Sequence, residues 1–395
     1  MTLTLTAAAP SFPVEVWLQI LRWATLHPST HALYTSEYSP FKAVDVNIGI
    51  PETLCTKLAL VLVCKDWRRW TLPLLYEDIQ VSSSQTLNRL LQSGEALGDN
   101  LDATSRRPAD FVRRAHLPYS STATSTPHSP RSLATLALCS SLDVLVRTAD
   151  AFSPCAYEFS IECPPLPSLK RIDWWHHNEA ARTGGINSLM HVLGAAPNVE
   201  YLSVGGELWP TYLHTAPIEL PHLTTLRFRR VNALFVVTLC RWTIPSLRHV
   251  IFDNVADVEL FWAFWTTFGS QVRTVELGIS LKFYIQDFLE YVFAGCTQLE
   301  ELNYYVHFTH APRTDRPQNT LKTVGLHAHP NSFFCVGSAE YWEHVGRHFE
   351  AFASAAFPAV KRVLLYGDWA AAMETEEFDR IAQPLRDKGC MITVA

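Results

Sequence analysis

What this chain lacks narrows it first. Nowhere do about 18 apolar residues follow one another, the length a helix needs to cross a bilayer, so no membrane-spanning helix is expected. The opening residues MTLTLTAAAPSFP carry no basic residue and only short apolar pieces, so no secretory signal is expected either; a cytoplasmic or nuclear location goes with that reading. Basic charge is not in excess. Lys and Arg number 32 against 38 Asp and Glu, a net charge of -6, which argues against a nucleic-acid partner for the chain as a whole. Nine cysteines are scattered, and their odd number and wide spacing suit neither a disulfide framework nor a zinc knuckle; free, mostly buried thiols are expected. Gly-x-Ser-x-Gly, a P-loop and a dinucleotide-binding glycine fingerprint are all missing. His344 and His348 stand four apart on an expected helix, but Glu343 precedes the pair instead of lying inside it, so the zincin arrangement is absent. Neither an enzyme, a metal nor a cofactor is therefore expected.

What is present begins at SFPVEVWLQILRWATLHP. Pro13 suits a first helical position and Glu15 the first turn, where the helix dipole favours negative charge. Val14, Trp17, Leu18 and Leu21 fall on one helical face, and Val16, Ile20 and Trp23 add a second apolar stripe. A helix with two dry faces is expected to bury one and offer the other to a partner. Further on, Leu58–Cys64 is expected to form a buried helix continuing into Lys65-Asp66-Trp67-Arg68-Arg69-Trp70. Trp67 and Trp70 then share the apolar side, with Lys65, Arg68 and Arg69 in solvent. Bases could not stack on aromatics so placed, so no nucleic-acid patch is expected here.

Phe12-Pro13-x-Glu15 with Ile20-Leu21, then Leu62-Val63-Cys64-Lys65-x-Trp67, then Leu75-Tyr76-Glu77, resembles an F-box. Phe12 replaces the usual Leu, and an insertion at about 29–53 separates the first two helices, as in a variant common among fungal F-box proteins. The resemblance covers about residues 11–81. It implies that Pro13, Glu15, Val16, Ile20, Leu21, Cys64 and Trp67 dock on the Skp adaptor and, through it, on a cullin ubiquitin ligase.

From residue 112 one pattern recurs, apolar-x-x-apolar-x-apolar. It reads VRRAHL at 112, LDVLVR (degraded) at 142, LKRIDW at 169, VEYLSV at 199, LTTLRF at 223 and LRHVIF at 247. VRTVEL at 272, LEELNY at 299, LKTVGL at 321 and VKRVLL at 360 follow. The copies from 169 to 321 start 22 to 30 residues apart, the period of leucine-rich repeats. Between them lie helical patterns such as Ile186/Leu189/Met190/Leu193, Val258/Phe261/Trp262/Trp265 and Ile285/Phe288/Leu289/Val292. The expected fold is α/β: a short N-terminal helical F-box-like module at 11–81, then a leucine-rich-repeat-like α/β solenoid with a parallel sheet at 105–395. Phe378, Ile381 and Leu385 with CMITV are expected to close the array as a helix and strand, with Pro384 shortening or kinking that helix. SSTATSTPHSPR at 120–131 and HAPRTDRPQ at 310–318 are expected loops, and Thr126 and Ser129 precede prolines as possible phosphorylation sites.

Strand parity then assigns a concave surface. Arg171, Asp173 and Trp175 share it with Tyr201, Arg227, Arg229, Asp253 and Glu276, and further along with Glu301, Tyr305 and Tyr366. Exposed arginines and aromatics are interface anchors, so these residues are expected to hold a partner protein, with basic charge near 171–229 and acidic charge near 253–301. The resemblance makes that partner the substrate of a ubiquitin ligase. The alternative is a repeat scaffold that binds a protein outside any ligase.

Overall fold

The computed structural model describes residues 12–25, 34, 37–42, 50–80, 89, 91, 107–117, 134–147, 163–176, 188–206, 217–231, 233–254, 258–280, 287–330 and 337–395. The loop at 120–131 with Thr126 and Ser129, most of the insertion at 29–53, and Ile186 and Ile285 lie outside these residues.

Every copy of the repeated pattern carries a strand. β1 (Asp78–Gln80) precedes the first copy. β2 (Arg114–Leu117), β3 (Val144–Arg147), β4 (Arg171–His176), β5 (Tyr201–Gly206) and β6 (Thr225–Arg230) follow. β7 (His249–Phe252), β8 (Thr274–Leu277), β9 (Glu301–Tyr305), β10 (Thr323–Ala328), β11 (Arg362–Gly367) and β12 (Met391–Val394) complete the set. The twelve form one open sheet in sequence order, with every pair parallel. That order is the signature of a solenoid-like α/β stack, in which each unit contacts only its neighbours. The residue before each strand adds a further rung. Glu200 N–H donates to Lys170 O, Thr224 to Glu200, Arg248 to Thr224, Arg273 to Arg248 and Glu300 to Arg273.

Alternation along each strand decides which side is dry. Ile172 and Trp174, Leu202 and Val204, Leu226 and Phe228, Val250 and Phe252, Leu302 and Tyr304, and Val324 and Leu326 are all buried in one continuous core. The first apolar residue of each copy, just before its strand, joins them: Leu169, Val199, Leu223, Leu247, Val272, Leu299, Leu321 and Val360. Among the described residues, the helices between strands pack on this side of the sheet. Leu189, Val192 and Leu193 of α4 (Ser188–Ala195), Phe235 and Val236 of α5 (Ala233–Leu239), and Leu289 and Val292 of α7 (Phe288–Gly295) enter the same core. In α6 (Val258–Phe268) the dry face is Phe261, Phe264, Trp265 and Phe268, while Trp262 is 47 % exposed. The expected face included Trp262; the helix is apolar nearly all round, so periodicity alone does not fix its rotation. α8 (Ala339–Ala353) is the helix expected to carry His344 and His348, and Ser338 caps it by accepting from Tyr341 N–H. α9 (Ala370–Met373) is a single turn. α10 (Glu376–Asp387) buries Phe378 and Leu385 and runs through Pro384 unshortened. Residues 310–318 hold no helix or strand, as expected.

The N-terminal helices are α1 (Val14–Thr25), α2 (Ile50–Val61) and α3 (Lys65–Tyr76). Pro13 sits one residue before α1 and its carbonyl accepts from Val16 and Trp17 N–H. Leu58–Cys64 is not one buried helix continuing into Trp67. α2 ends at Val61, Leu62 and Val63 form an exposed turn, and Cys64 caps a new helix by accepting from Trp67 N–H. Trp67 and Trp70 are half-buried and Lys65, Arg68 and Arg69 exposed, so the facing of that helix is as expected. Of the described cysteines, Cys139, Cys296 and Cys390 are buried free thiols, Cys163 and Cys240 are half-buried, and Cys55 and Cys64 are exposed.

Candidate functional site

Two surfaces carry the chemistry. The first is the helix-free face of the sheet, the side expected to be concave. Parallel pairing sets its side chains in rows across strands. One row runs Arg171, Tyr201, Thr225, His249, Thr274, Glu301, Thr323 and Arg362. The next runs Asp173, Ser203, Arg227, Ile251, Glu276, Asn303, Gly325 and Leu364. Parity therefore places the expected residues on this face. It does not leave them exposed: Arg171, Asp173, Tyr201 and Glu276 are buried, and Trp175, Arg227, Arg229, Asp253, Glu301, Tyr305 and Tyr366 are only part-exposed.

The reason is that neighbouring rows satisfy one another. Arg171 Nε donates to Asp173 Oδ2 at 2.7 Å while its guanidinium lies 4.1 Å from the centre of the Tyr201 ring. Burial pushes the Asp173 carboxyl up, and Arg171 more than reverses this, holding it below the usual carboxylate range. Arg227 grips Asp253 with both Nε (2.7 Å) and Nη2 (2.9 Å), the bidentate geometry that favours Arg over Lys. Arg229 lies 5.3 Å from the Trp175 ring centre; burial and the charge of Arg227 lower its pKa.

The other reason is a piece of the chain itself. Tyr38–Lys42, from the insertion between the first two helices, lies on this face at β6–β11. The Tyr38 hydroxyl donates to Glu276 Oε2 at 2.8 Å and accepts from Asn303 Nδ2 at 2.7 Å, and its ring stacks on His249 at 5.0 Å. Phe41 N–H donates to the same Glu276 oxygen at 2.9 Å. The Phe41 ring sits 4.9–5.2 Å from the rings of Tyr305, His327 and Tyr366. Arg227 Nη1 reaches Lys42 O at 3.3 Å. Enclosed this way, Glu276 is pushed by burial up to about 7, against the two hydrogen bonds it accepts. Gly325 makes the arrangement possible: a Cβ there would meet Asn303 Oδ1 at 2.0 Å. Sequence reasoning picked out Glu276, Tyr305 and Tyr366 but missed Tyr38 and Phe41. The only signal in the sequence is that Tyr38-Ser-Pro-Phe41 is an aromatic pair around a turn inside an otherwise unpatterned insertion.

The second surface is the helical module. Leu21, expected to dock, is 1 % exposed: it and Thr25 form the buried side of α1. Pro13, Glu15, Ile20 and Cys64 are exposed, and Val16 and Trp67 half-buried, Trp67 packing on Trp17 at 5.4 Å. Around them stand Phe12, Val14, Leu18, Trp23, Leu54, Leu58, Leu62 and Val63. Of the 14 exposed large hydrophobics among the described residues, nine are in this module. Such a concentration exceeds the scatter of single exposed apolar residues over the rest of the described chain.

Glu77 and Asp78 fasten the module to the sheet. Glu77 Oε1 takes Arg22 Nη2 and Arg113 Nη1, each at 3.3 Å. Asp78 takes Arg114 Nε and the Tyr34 hydroxyl at 2.6 Å and Lys57 Nζ at 3.5 Å. Burial raises the Asp78 carboxyl, but Arg114 and Lys57 outweigh it and hold it below its usual range. The Leu75-Tyr76-Glu77 stretch is thus the hinge between helix and strand, a role its sequence did not announce.

His344 and His348 face each other at 4.9 Å, but His344 Nε2 donates to Val306 O and His348 Nδ1 hydrogen-bonds Tyr304. Among the described residues no cluster of His, Cys, Asp and Glu could hold a metal, and no helix is long and apolar enough to cross a membrane. No family model and no curated protein matches this chain.

Proposed function

We propose that this chain is the substrate-recognition adaptor of a Skp-cullin-F-box type ubiquitin ligase. α1 and the α2–α3 turn dock on the Skp adaptor, and the helix-free face of the repeats receives the target protein. The chain breaks no bonds itself; it raises the local concentration of a target beside a ubiquitin-charged enzyme. The observation that carries this reading is the apolar surface on a module joined to the sheet by the ion pairs of Glu77 and Asp78. Capture at one end would then fix distance and orientation at the other.

The test is affinity for purified Skp adaptor. Replacing Ile20 and Trp23, 43 % and 81 % exposed, together by Ala is expected to weaken binding by about 2 kcal/mol or more, as for interface anchors. Unfolding should stay unchanged within about 0.5 kcal/mol, as for surface positions. Absence of any adaptor binding by the wild-type chain would leave the scaffold reading, in which the repeats bind a protein outside a ligase.

A further inference from the structure

The segment Tyr38–Lys42 behaves as a ligand of the face it lies on. None of its residues enters the hydrophobic core cluster. Its contacts are the kind a docked peptide makes: two aromatic anchors and hydrogen bonds to Glu276 and Asn303. It also fits imperfectly, in two places. Lys42 N–H bonds Ser39 O at 3.4 Å with Pro40 at the second position of the turn, and Phe41 at the third has φ 56°. A turn with proline there and positive φ next normally takes glycine; a bulky residue in the left-handed region is strained. Beneath the segment, Asn303 Oδ1 is buried without a hydrogen-bond donor. Phe41 is thus held in a costly conformation by its ring contacts, on a face whose acceptor capacity it leaves unfilled.

From this we infer that Tyr38–Lys42 is a built-in competitor for the receptor face. The external partner is a protein segment of the same chemistry: a tyrosine followed three residues on by a phenylalanine, bent by a turn between them. The tyrosine takes the Glu276–Asn303 position beside His249, the phenylalanine takes the cage of Tyr305, His327 and Tyr366, and the chain's own segment leaves when the partner arrives. The strain at Phe41 lowers the cost of leaving. A partner that presents its phenylalanine without a left-handed backbone, or with a donor reaching Asn303 Oδ1, outcompetes it. This deepens the receptor half of the proposed function and does not depend on the helical module docking on a Skp adaptor.

The experiment uses the full chain, with no adaptor present, and a fluorescent peptide of residues 36–43, SEYSPFKA. Tyr38→Ala with Phe41→Ala removes both aromatic anchors, keeps the strained turn position, and so empties the face. This variant is expected to bind the peptide with a Kd below about 1 mM and at least about tenfold more tightly than wild type, whose tethered segment competes at high effective concentration. A peptide with alanine at both aromatic positions is expected not to bind. Equal binding by variant and wild type, or no binding by the folded variant, overturns the proposal while leaving adaptor docking untouched. Hydrogen exchange on the wild-type chain decides the matter even should the variant not fold. The Phe41 amide is expected to exchange at least about 100-fold faster than the amides of β7 and β8, by local opening. Equal protection would make the segment a fixed part of the fold and overturn the proposal.

Discussion

Asp78 shows how much can hang on a single side chain. It lies at the first residue of the sheet with its carboxylate 7 % exposed, and it takes an arginine that is 0 % exposed, a lysine that is 7 % exposed and a tyrosine hydroxyl. A buried pair adds little net stability over an apolar replacement, but removing one partner strands the other's charge. Asp78→Ala leaves Arg114 and Lys57 without their carboxylate, and is expected to cost about 3–5 kcal/mol in urea unfolding. Glu15→Ala, on exposed α1, is expected to change stability by less than about 0.5 kcal/mol. Similar costs for the two would mean that Asp78 does not carry the joint between module and sheet.

Strands and helices read differently from sequence because they expose different information. In β6 the pattern Thr-Leu-Arg-Phe-Arg-Arg alternates cleanly, so Leu226 and Phe228 were assignable to the core and Arg227 and Arg229 to the opposite face. α6, Val-Glu-Leu-Phe-Trp-Ala-Phe-Trp-Thr-Thr-Phe, offers aromatics in nearly every direction, and only packing against neighbours selects Phe264 and Phe268 over Trp262. Phe228 stacks on Phe252 at 5.1 Å and meets Phe261 and Phe264 edge-on. Phe228→Ala is therefore expected to cost about 3–5 kcal/mol. Trp262→Ala, a larger truncation of a 47 % exposed ring, is expected to cost less than half as much by the same denaturation measurement. The reverse order would place the helix rotation wrongly.

At the scale of the molecule, the sheet buries titratable groups, and pH reports on it. Burial, with Arg114 for His116 and Arg248 for His249, lowers these two histidines from 6.5 to about 4, and burial also lowers His307, His344 and His348. Between the folded and unfolded values the unfolded chain binds more protons, so stability is lost as pH falls below about 6.5, on the order of 2 kcal/mol by pH 5 for each of His116 and His249. Glu276 works the other way. Its folded value of about 7 exceeds 4.5, so in that window the folded chain holds the extra proton, and its contribution fades as pH rises. Melting temperatures at pH 7.5, 6 and 5 are expected to fall toward acid. Glu276→Gln removes the opposing contribution, so its fall is expected to be steeper; a shallower fall in the variant would contradict the burial of that carboxyl beneath Tyr38 and Phe41.

The sequence by itself determined the repeat, its strands and the parity of each strand. Those depend on burial of alternate side chains within six residues, and that pattern is written locally in LKRIDW, LTTLRF and their copies. Only the tertiary structure decided what the other face does. Arg227 was legible as facing away from the core, but its grip on Asp253 joins residues 26 apart, and Tyr38 meets Glu276 across 238 positions and Asn303 across 265. Contacts of that reach follow the route a connection takes across a finished sheet. A local period cannot encode that route, because the insertion has no periodicity of its own and Tyr38–Lys42 finds its partners only where β6–β11 lie side by side beneath it.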